Sequence, residues 1–373
     1  MRIVYLIFHI MLRLIEKLKK VKDFRQASGK RHQLWVVLLI IILGIMQSYI
    51  GYRAIGDFAK YNQALLTKYF NLPNKQAPSY STIRRVLMGL DWSELLNIFN
   101  EWVKEEYQNK EGLEWIAVDG KSLRSTVINY DDATQNFVMF ASFFSQETGI
   151  VLHLERWENK ESSEVHHVQD MIRDTELTDK NFTLDALHSN RVTPQEIIDS
   201  NNDYLITLKA NQLNLYKHVE EVTKNSQPVS IDYNEDRGHG RDILRLTSVF
   251  NVTHPFNTVW EHIKSYIKVE RYGERKGEDY YHSAYYISSL RENAQTFAQK
   301  IRGHWKIENQ LHWVKDVIFK EDTLPFTDFQ AVSNLSILQT IALNLFRGLG
   351  FLSITKGQRW LDNRWFRLCD LLE

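Results

Sequence analysis

A helical N-terminal part followed by an α/β sheet domain is the architecture this sequence predicts, on three observations. Residues 1 to about 110 carry helix start signals and few strand signals. Three β-like runs follow on short connections, Trp115 to Asp119, Phe137 to Phe144 and Ile150 to Trp157, and such connections favour antiparallel pairing. Beyond them strands alternate with helices, which implies a parallel portion of sheet covered by helices.

The helical part contains Leu34 to Met46, apolar throughout but shorter than the ~20 residues a membrane span needs, so it is expected as a buried core helix. The opening Ile3 to Leu12 stretch has the look of a signal core, yet lysines follow it where a cleavage site would stand; a cytoplasmic protein is expected. Pro78-Ser79-Tyr80-Ser81 leads into a short helix over Thr82 to Leu87. Its Arg84 and Arg85 are suited either to DNA phosphates or to solvent. Asp91 with Glu94 three residues on forms a capping-box pattern, and Leu95, Ile98, Phe99, Trp102 and Val103 recur at helical spacing as a buried face.

In the sheet part, a helix from Ser162 to Arg173, a strand from Phe182 to Asp185, a helix opened by Thr193-Pro194 and a strand from Tyr204 to Leu208 complete the order βββαβαβ. That is the order of a ribonuclease H-like fold. A stretch from about 213 to 290, with β-rich runs Ile243 to Val252 and Tyr280 to Ile287, reads as an insertion. Ala298 to Asp316 then reads as one long helix, on which Trp305, Glu308, His312 and Lys315 share a neighbourhood at spacings of three or four. A carboxylate, a histidine and a lysine on one face suit a metal and a DNA phosphate together.

Composition fits an intracellular globular chain. Its 373 residues are 43% hydrophobic and 12% aromatic, enough for a large core and two or three domains. The single cysteine, Cys369, allows no intrachain disulfide. Formal net charge is zero, yet Arg13, Lys17, Lys19, Lys20, Lys22, Arg25, Lys30 and Arg31 crowd the N-terminal portion. Such a run suits a nucleic-acid-binding arm or a solvated helix face.

Asp119 and Asp185 each close an apolar strand run, and Glu308 lies far downstream. Ligands of open α/β sheets gather beyond the carboxyl ends of strands. Each aspartate alone reads as a turn cap. All three together read as a metal site, since two Mg²⁺ ions about 3.5–4 Å apart can activate a nucleophile and stabilise a leaving oxygen in phosphodiester chemistry.

Five motifs in order carry a family resemblance: Val118-Asp119-Gly120-Lys121-Ser122-Leu123-Arg124, Leu184-Asp185-Ala186-Leu187-His188, Leu208-Lys209-Ala210-Asn211-Gln212, Gly238-His239-Gly240-Arg241 and Arg302-Gly303-His304-Trp305-Lys306-Ile307-Glu308-Asn309. Spanning nearly the whole chain, they resemble bacterial insertion-sequence transposases of the ISAs group, which includes the H-repeat-associated proteins. Gly29 to Trp35 also resembles the helical domain that precedes the catalytic domain in this group.

The resemblance implies a DDE transposase that cuts double-stranded DNA at the terminal inverted repeats of a transposon and joins freed 3′-hydroxyls to target DNA. It implies Asp119, Asp185 and Glu308 as a triad holding two Mg²⁺ ions, with Mn²⁺ able to substitute, and a homodimer in the synaptic complex. The helical domain would be residues 1–110 and the catalytic domain 111–373, working in the bacterial cytoplasm and nucleoid-associated when bound to DNA. Lys121, Arg124, Lys209, Arg302, His304 and Lys315 are the expected phosphate contacts; His239, Arg241 and Arg245 in the insertion are suited either to DNA or to stabilising the insertion's own turn. In the related larger group a tyrosine, an arginine and a lysine surround the glutamate. Here Lys315 matches that lysine, whereas His304 and Ile301 stand at the arginine and tyrosine positions. A decayed transposase that binds DNA without cutting, and a cellular nuclease of the same fold, are the competing readings.

Overall fold

The computed structural model describes residues 2–108, 114–127, 129, 132, 134–238, 241–275 and 278–362. Six helices lead: α1 (Arg2–Leu18), α2 (Leu34–Met46), α3 (Tyr52–Tyr61), α4 (Gln63–Phe70), α5 (Tyr80–Gly89) and α6 (Trp92–Val103). Every residue of α2 except Trp35 is buried, as a helix apolar on all sides requires. The stretch Ala27–Met46 has the length and composition to cross a membrane, but 72% of its most apolar window is buried within the protein.

Three cations of the basic run are tied down, while Lys19, Lys20, Lys22, Lys30 and Arg31 stay exposed. Lys17, 5% exposed, pairs with Glu101 at 3.0 Å and Glu105 at 2.6 Å. Arg13 lies 3.6 Å from Glu106, and Arg25 grips Asp23 at 2.8 and 2.9 Å. Acids around the end of α6 and in the loop after α1 thus neutralise these three cations. Asp91 caps α6 through the Ser93 amide, but Glu94 does not close the capping box; it accepts from the Lys22 amide at 2.5 Å and ties the α1–α2 connection to α6.

The sheet part runs β1 (Glu114–Ser122), β2 (Val138–Ser145), β3 (Val151–Glu158), α7 (Glu164–Asp174), β4 (Lys180–Leu184), α8 (Val192–Asp199), β5 (Asp203–Leu208) and α9 (Leu213–Asn225). Then come β6 (Ser230–Gly238), β7 (Arg241–Asn251), β8 (Ser265–Arg275), β9 (Glu278–Ser288), α10 (Ala294–His304), α11 (Phe329–Gly348) and α12 (Ile354–Asp362). The order βββαβαβ expected from sequence is present. β1 pairs antiparallel with β2 and β2 with β3, while β1, β4 and β5 run parallel.

Among the described residues, the strands form one sheet in the order β3-β2-β1-β4-β5-β9-β8-β7-β6. The β-rich insertion is therefore an antiparallel extension of the main sheet, joined where β5 meets β9. Leu208 pairs with Tyr285, so the first seven residues of β9 overhang the carboxyl ends of the parallel strands by about 24 Å at ~3.4 Å per residue.

α11 joins the two parts, burying every residue from Ala331 to Arg347. Its Asn344 amide pairs with both backbone groups of Val151, at 2.9 and 2.8 Å. Asn100 of α6 does the same for Leu154 at 3.0 Å, and Gln108 donates to the Leu152 carbonyl at 2.7 Å. β3 ends the sheet, and these amides satisfy an edge that would otherwise stand open. One apolar cluster runs from α1 and α2 through the sheet to α11.

Candidate active site

β1 and β4 are adjacent and parallel, with Ile116 opposite Phe182 and Ala117 opposite Thr183. Two residues further along each chain stand Asp119 and Asp185, which the register carries side by side beyond the paired region. Asp119 does not end its strand, however: β1 continues to Ser122 because β2 goes on pairing with it, Asp119 lying opposite Ser142. Asp185 does follow its strand, and its carboxylate accepts from the Leu187 amide at 2.9 Å.

The glutamate segment is not one regular helix. After α10 ends at His304, wide π turns follow at Glu308–His312 and Val314–Ile318. Their i→i+5 bonds run from the Trp313 amide to the Glu308 carbonyl and from the Phe319 amide to the Val314 carbonyl. Each such turn inserts a residue, so positions three or four apart drift off a common face. Glu308 is exposed in the cleft, His312 is buried against Asp119 and Lys315 is turned into the core. Trp305 and Trp313 are 58% and 50% exposed, and Leu311 between them is buried.

Asp119, Glu308 and His312 form a group whose ligand atoms all lie within 4.8 Å. His312 Nε2 is 3.2 Å from Asp119 Oδ2. Two carboxylates and an imidazole are a donor set that a divalent cation accepts. Asp185 lines the same cleft, of about 560 Å³, but stands outside that group. A second group, Asp316, Glu321 and Asp322, is as tight. There the Lys121 ammonium lies against Asp316 and 2.9 Å from Glu321, where a cation would sit.

The expected phosphate contacts divide. Lys209 is exposed at the end of β5 and lines the cleft with Asp119, Asp185 and Glu308. Arg302 is exposed on α10, donates to Asn234 at 2.7 Å and lines a neighbouring groove with Arg245 and Arg271. Arg245 is half-buried and paired with Asp236 at 3.0 Å. Arg124, Arg84 and Arg85 are exposed, the first after β1 and the others on α5.

His304 lines the cleft with Nδ1 3.0 Å from Thr183 Oγ1. Burial holds its ring below the ordinary histidine value, against the opposing pull of Asp119 and Asp185. His239 lies outside the described residues. Arg241 begins β7 at the far tip of the overhanging strands, paired in register with Gly238 and Arg275.

Two expectations are corrected. Lys315 is 4% exposed; it donates to Ser336 Oγ at 2.6 Å and pairs with Glu321 at 3.0 Å, so it has no path to a phosphate. Lys121 is held by Asp316 and Glu321. Burial alone would lower its pKa, but Glu321 and Asp316 hold it above the ordinary lysine value.

Sequence reading missed Glu164. This first residue of α7 packs its carboxylate over Gly120, where a Cβ would come within 2.2 Å of its Oε2, and its Oε1 lies 3.4 Å from buried His188. Gln146 was also missed; it donates to Thr183 at 2.8 Å and so helps set His304. Neither residue carries a local signal beyond its type.

The family model described as "Transposase DDE domain" matches residues 111–345, and one described as "DDE_Tnp_1-associated" matches residues 15–103. The chain is 30% identical over 349 residues to "Putative transposase YncI" of Escherichia coli O157:H7, covering 90% of this chain and 87% of that protein. It is 28% identical over 345 residues to "H repeat-associated putative transposase YhhI" of Escherichia coli strain K12, covering 89% and 90%. The solved piggyBac transposase synaptic complex with hairpin DNA aligns with 99% of this chain and 80% of that one, at 10% identity and TM-score 0.49, a likeness too slight to build on.

Proposed function

Because the chain belongs to the bacterial DDE transposases, we propose that it cuts DNA at the ends of its mobile element and joins the freed 3′-hydroxyls to target DNA. The observation that carries this reading is the meeting of Asp119, at the end of the β1–β4 pairing, with Glu308 from a segment 189 residues later, in a cleft that Asp185 also lines. The strand order β3-β2-β1-β4-β5 supports a ribonuclease H-like core.

Asp119, Asp185 and Glu308 would hold divalent ions, Mg²⁺ with Mn²⁺ as substitute; bound there, such ions lower the pKa of the attacking water and neutralise the leaving oxygen. The residues of the chain position and bind. Leu187 orients Asp185 through its amide, and His312 lies 3.2 Å from Asp119. Lys209 and Arg302 contact the DNA backbone, which gives salt-sensitive binding without sequence preference. Recognition of the terminal repeats falls to the helical part, through Arg84 and Arg85. A homodimer brings two ends together in the cell cytoplasm, on nucleoid DNA.

The test is Mg²⁺-dependent cleavage and joining of labelled DNA carrying the element's flanking ends, with wild type beside Asp119→Asn and Glu308→Gln. Both variants should lose activity by at least about 10³-fold, the scale on which a member of a catalytic constellation acts, while still binding DNA. Cleavage at the wild-type rate by either variant would sink the triad. Cleavage without joining would point to a nuclease, and binding without cleavage by wild type to a decayed copy.

A further inference from the structure

Resting on the reading of Asp119 and Glu308 as metal-holding carboxylates, we propose that His312 is a third ligand of the same cation and tilts that position towards Mn²⁺ over Mg²⁺. His312 sits one π turn beyond Glu308, is 5% exposed, and directs Nε2 to within 3.2 Å of Asp119 Oδ2. Two neighbouring ligand atoms on one octahedral ion, each about 2.1 Å from it, stand about 3 Å apart. The observed separation suits that arrangement, and all three ligand atoms fall within 4.8 Å.

The charges around the two acidic groups separate a metal site from a closed ion-pair network. Lys121 and Lys315 already compensate Asp316 and Glu321. Among the described residues, neither Asp119 nor Glu308 has an ion pair with a lysine or arginine; Asp119 faces His312 instead. No lysine or arginine pairs with either carboxylate, so the charge at their meeting point is left for a bound cation to balance.

The regular α-helix expected from sequence would put Glu308 and His312 on one face with Lys315. The π turns instead keep the first two together at Asp119 and remove the ammonium to the core. π turns inside helices recur at functional sites. An imidazole ligand favours a first-row transition ion over Mg²⁺, which prefers an all-oxygen octahedron and retains its waters.

The experiment is pulsed electron paramagnetic resonance of Mn²⁺ bound to the full-length protein without DNA, alongside Mn²⁺ and Mg²⁺ titrations. Wild type should show a ¹⁴N coupling that becomes a ¹⁵N pattern on labelling with ¹⁵N-histidine. The coupling should vanish in His312→Gln and persist in His304→Gln. His312→Gln should weaken Mn²⁺ binding by about 10-fold or more, the scale set by ligand-shell changes, and weaken Mg²⁺ binding less.

Bound Mn²⁺ with no histidine coupling in wild type, or a coupling that survives His312→Gln, would overturn the proposal. The labelled wild type and His304→Gln decide the matter if His312→Gln does not fold. Missing coupling together with Mn²⁺ loss in Asp119→Asn removes His312 alone and leaves the carboxylate reading standing. Mn²⁺ bound undiminished by both Asp119→Asn and Glu308→Gln removes both.

Discussion

Lys315 Nζ stands 3.0 Å from Glu321 Oε1, with 5% and 4% of the two side chains exposed. The pair does not face DNA. Lys315 reaches Ser336 on α11, and Glu321 reaches Lys121 on β1 at 2.9 Å. The network therefore fastens the π segment to the strand that bears Asp119, and holds Glu308 and His312 where they meet it.

Lys315→Ala should act through stability. Removing one partner of a buried pair costs about 3–5 kcal/mol, and the lower end is expected because Lys121 still pairs with Glu321. Urea unfolding measures this. In a salt titration of DNA binding, the slope of log K against log salt should be unchanged for folded Lys315→Met, whereas Lys209→Ala should reduce it by about 1. A reduced slope in Lys315→Met would return that lysine to the phosphate contacts.

Acid should loosen the same network. Burial alone would raise the pKa of Glu321, but Lys315 and Lys121 hold it at about 2, well below the ordinary glutamate value. A depressed carboxylate contributes fully above its unfolded pKa and loses that contribution as pH falls through the folded one. Wild type should therefore lose stability between about pH 4.5 and 2. Chemical denaturation across this window should show a shallower decline for Glu321→Gln, though from a lower starting stability.

Gly120→Ala should displace Glu164, since the added Cβ would meet both carboxylate oxygens, at 2.2 and 2.8 Å. Overpacking of this kind costs about 1–3 kcal/mol. Glu164→Ala should relieve it, so a double-mutant cycle should give a coupling of about 0.5–3 kcal/mol. Additive effects would show that the carboxylate moves aside freely.

Asn344→Leu should open the edge of β3. It strands the amide and carbonyl of Val151, both now paired with the asparagine side chain. Each buried unpaired group costs about 1–3 kcal/mol, and hydrogen exchange at Val151 should quicken as the unfolding midpoint falls. Protection at Val151 equal to wild type would mean another group caps the edge.

Local pattern determined much of this protein. The apolar run of α2, the Asp91 cap and the alternation of strands and helices all depend on neighbours in the chain, and periodicity reports such preferences directly. The ordered motifs that carry the family resemblance were legible for the same reason, and the family match agrees with that resemblance.

Tertiary structure alone decided where the charges went. Lys17, Lys121 and Lys315 read as solvent or DNA contacts, yet the first two meet carboxylates from distant segments and the third is turned inward against Glu321 and Ser336. No local pattern encodes such partners, because an ion pair depends on which segments fold together. The same holds for the π turns that carry His312 to Asp119, for Glu164 over Gly120 and for the joining of β9 to β5. A helix pattern fixes which residues are three or four apart. Packing decides whether that helix widens, and so which side chain reaches the cleft.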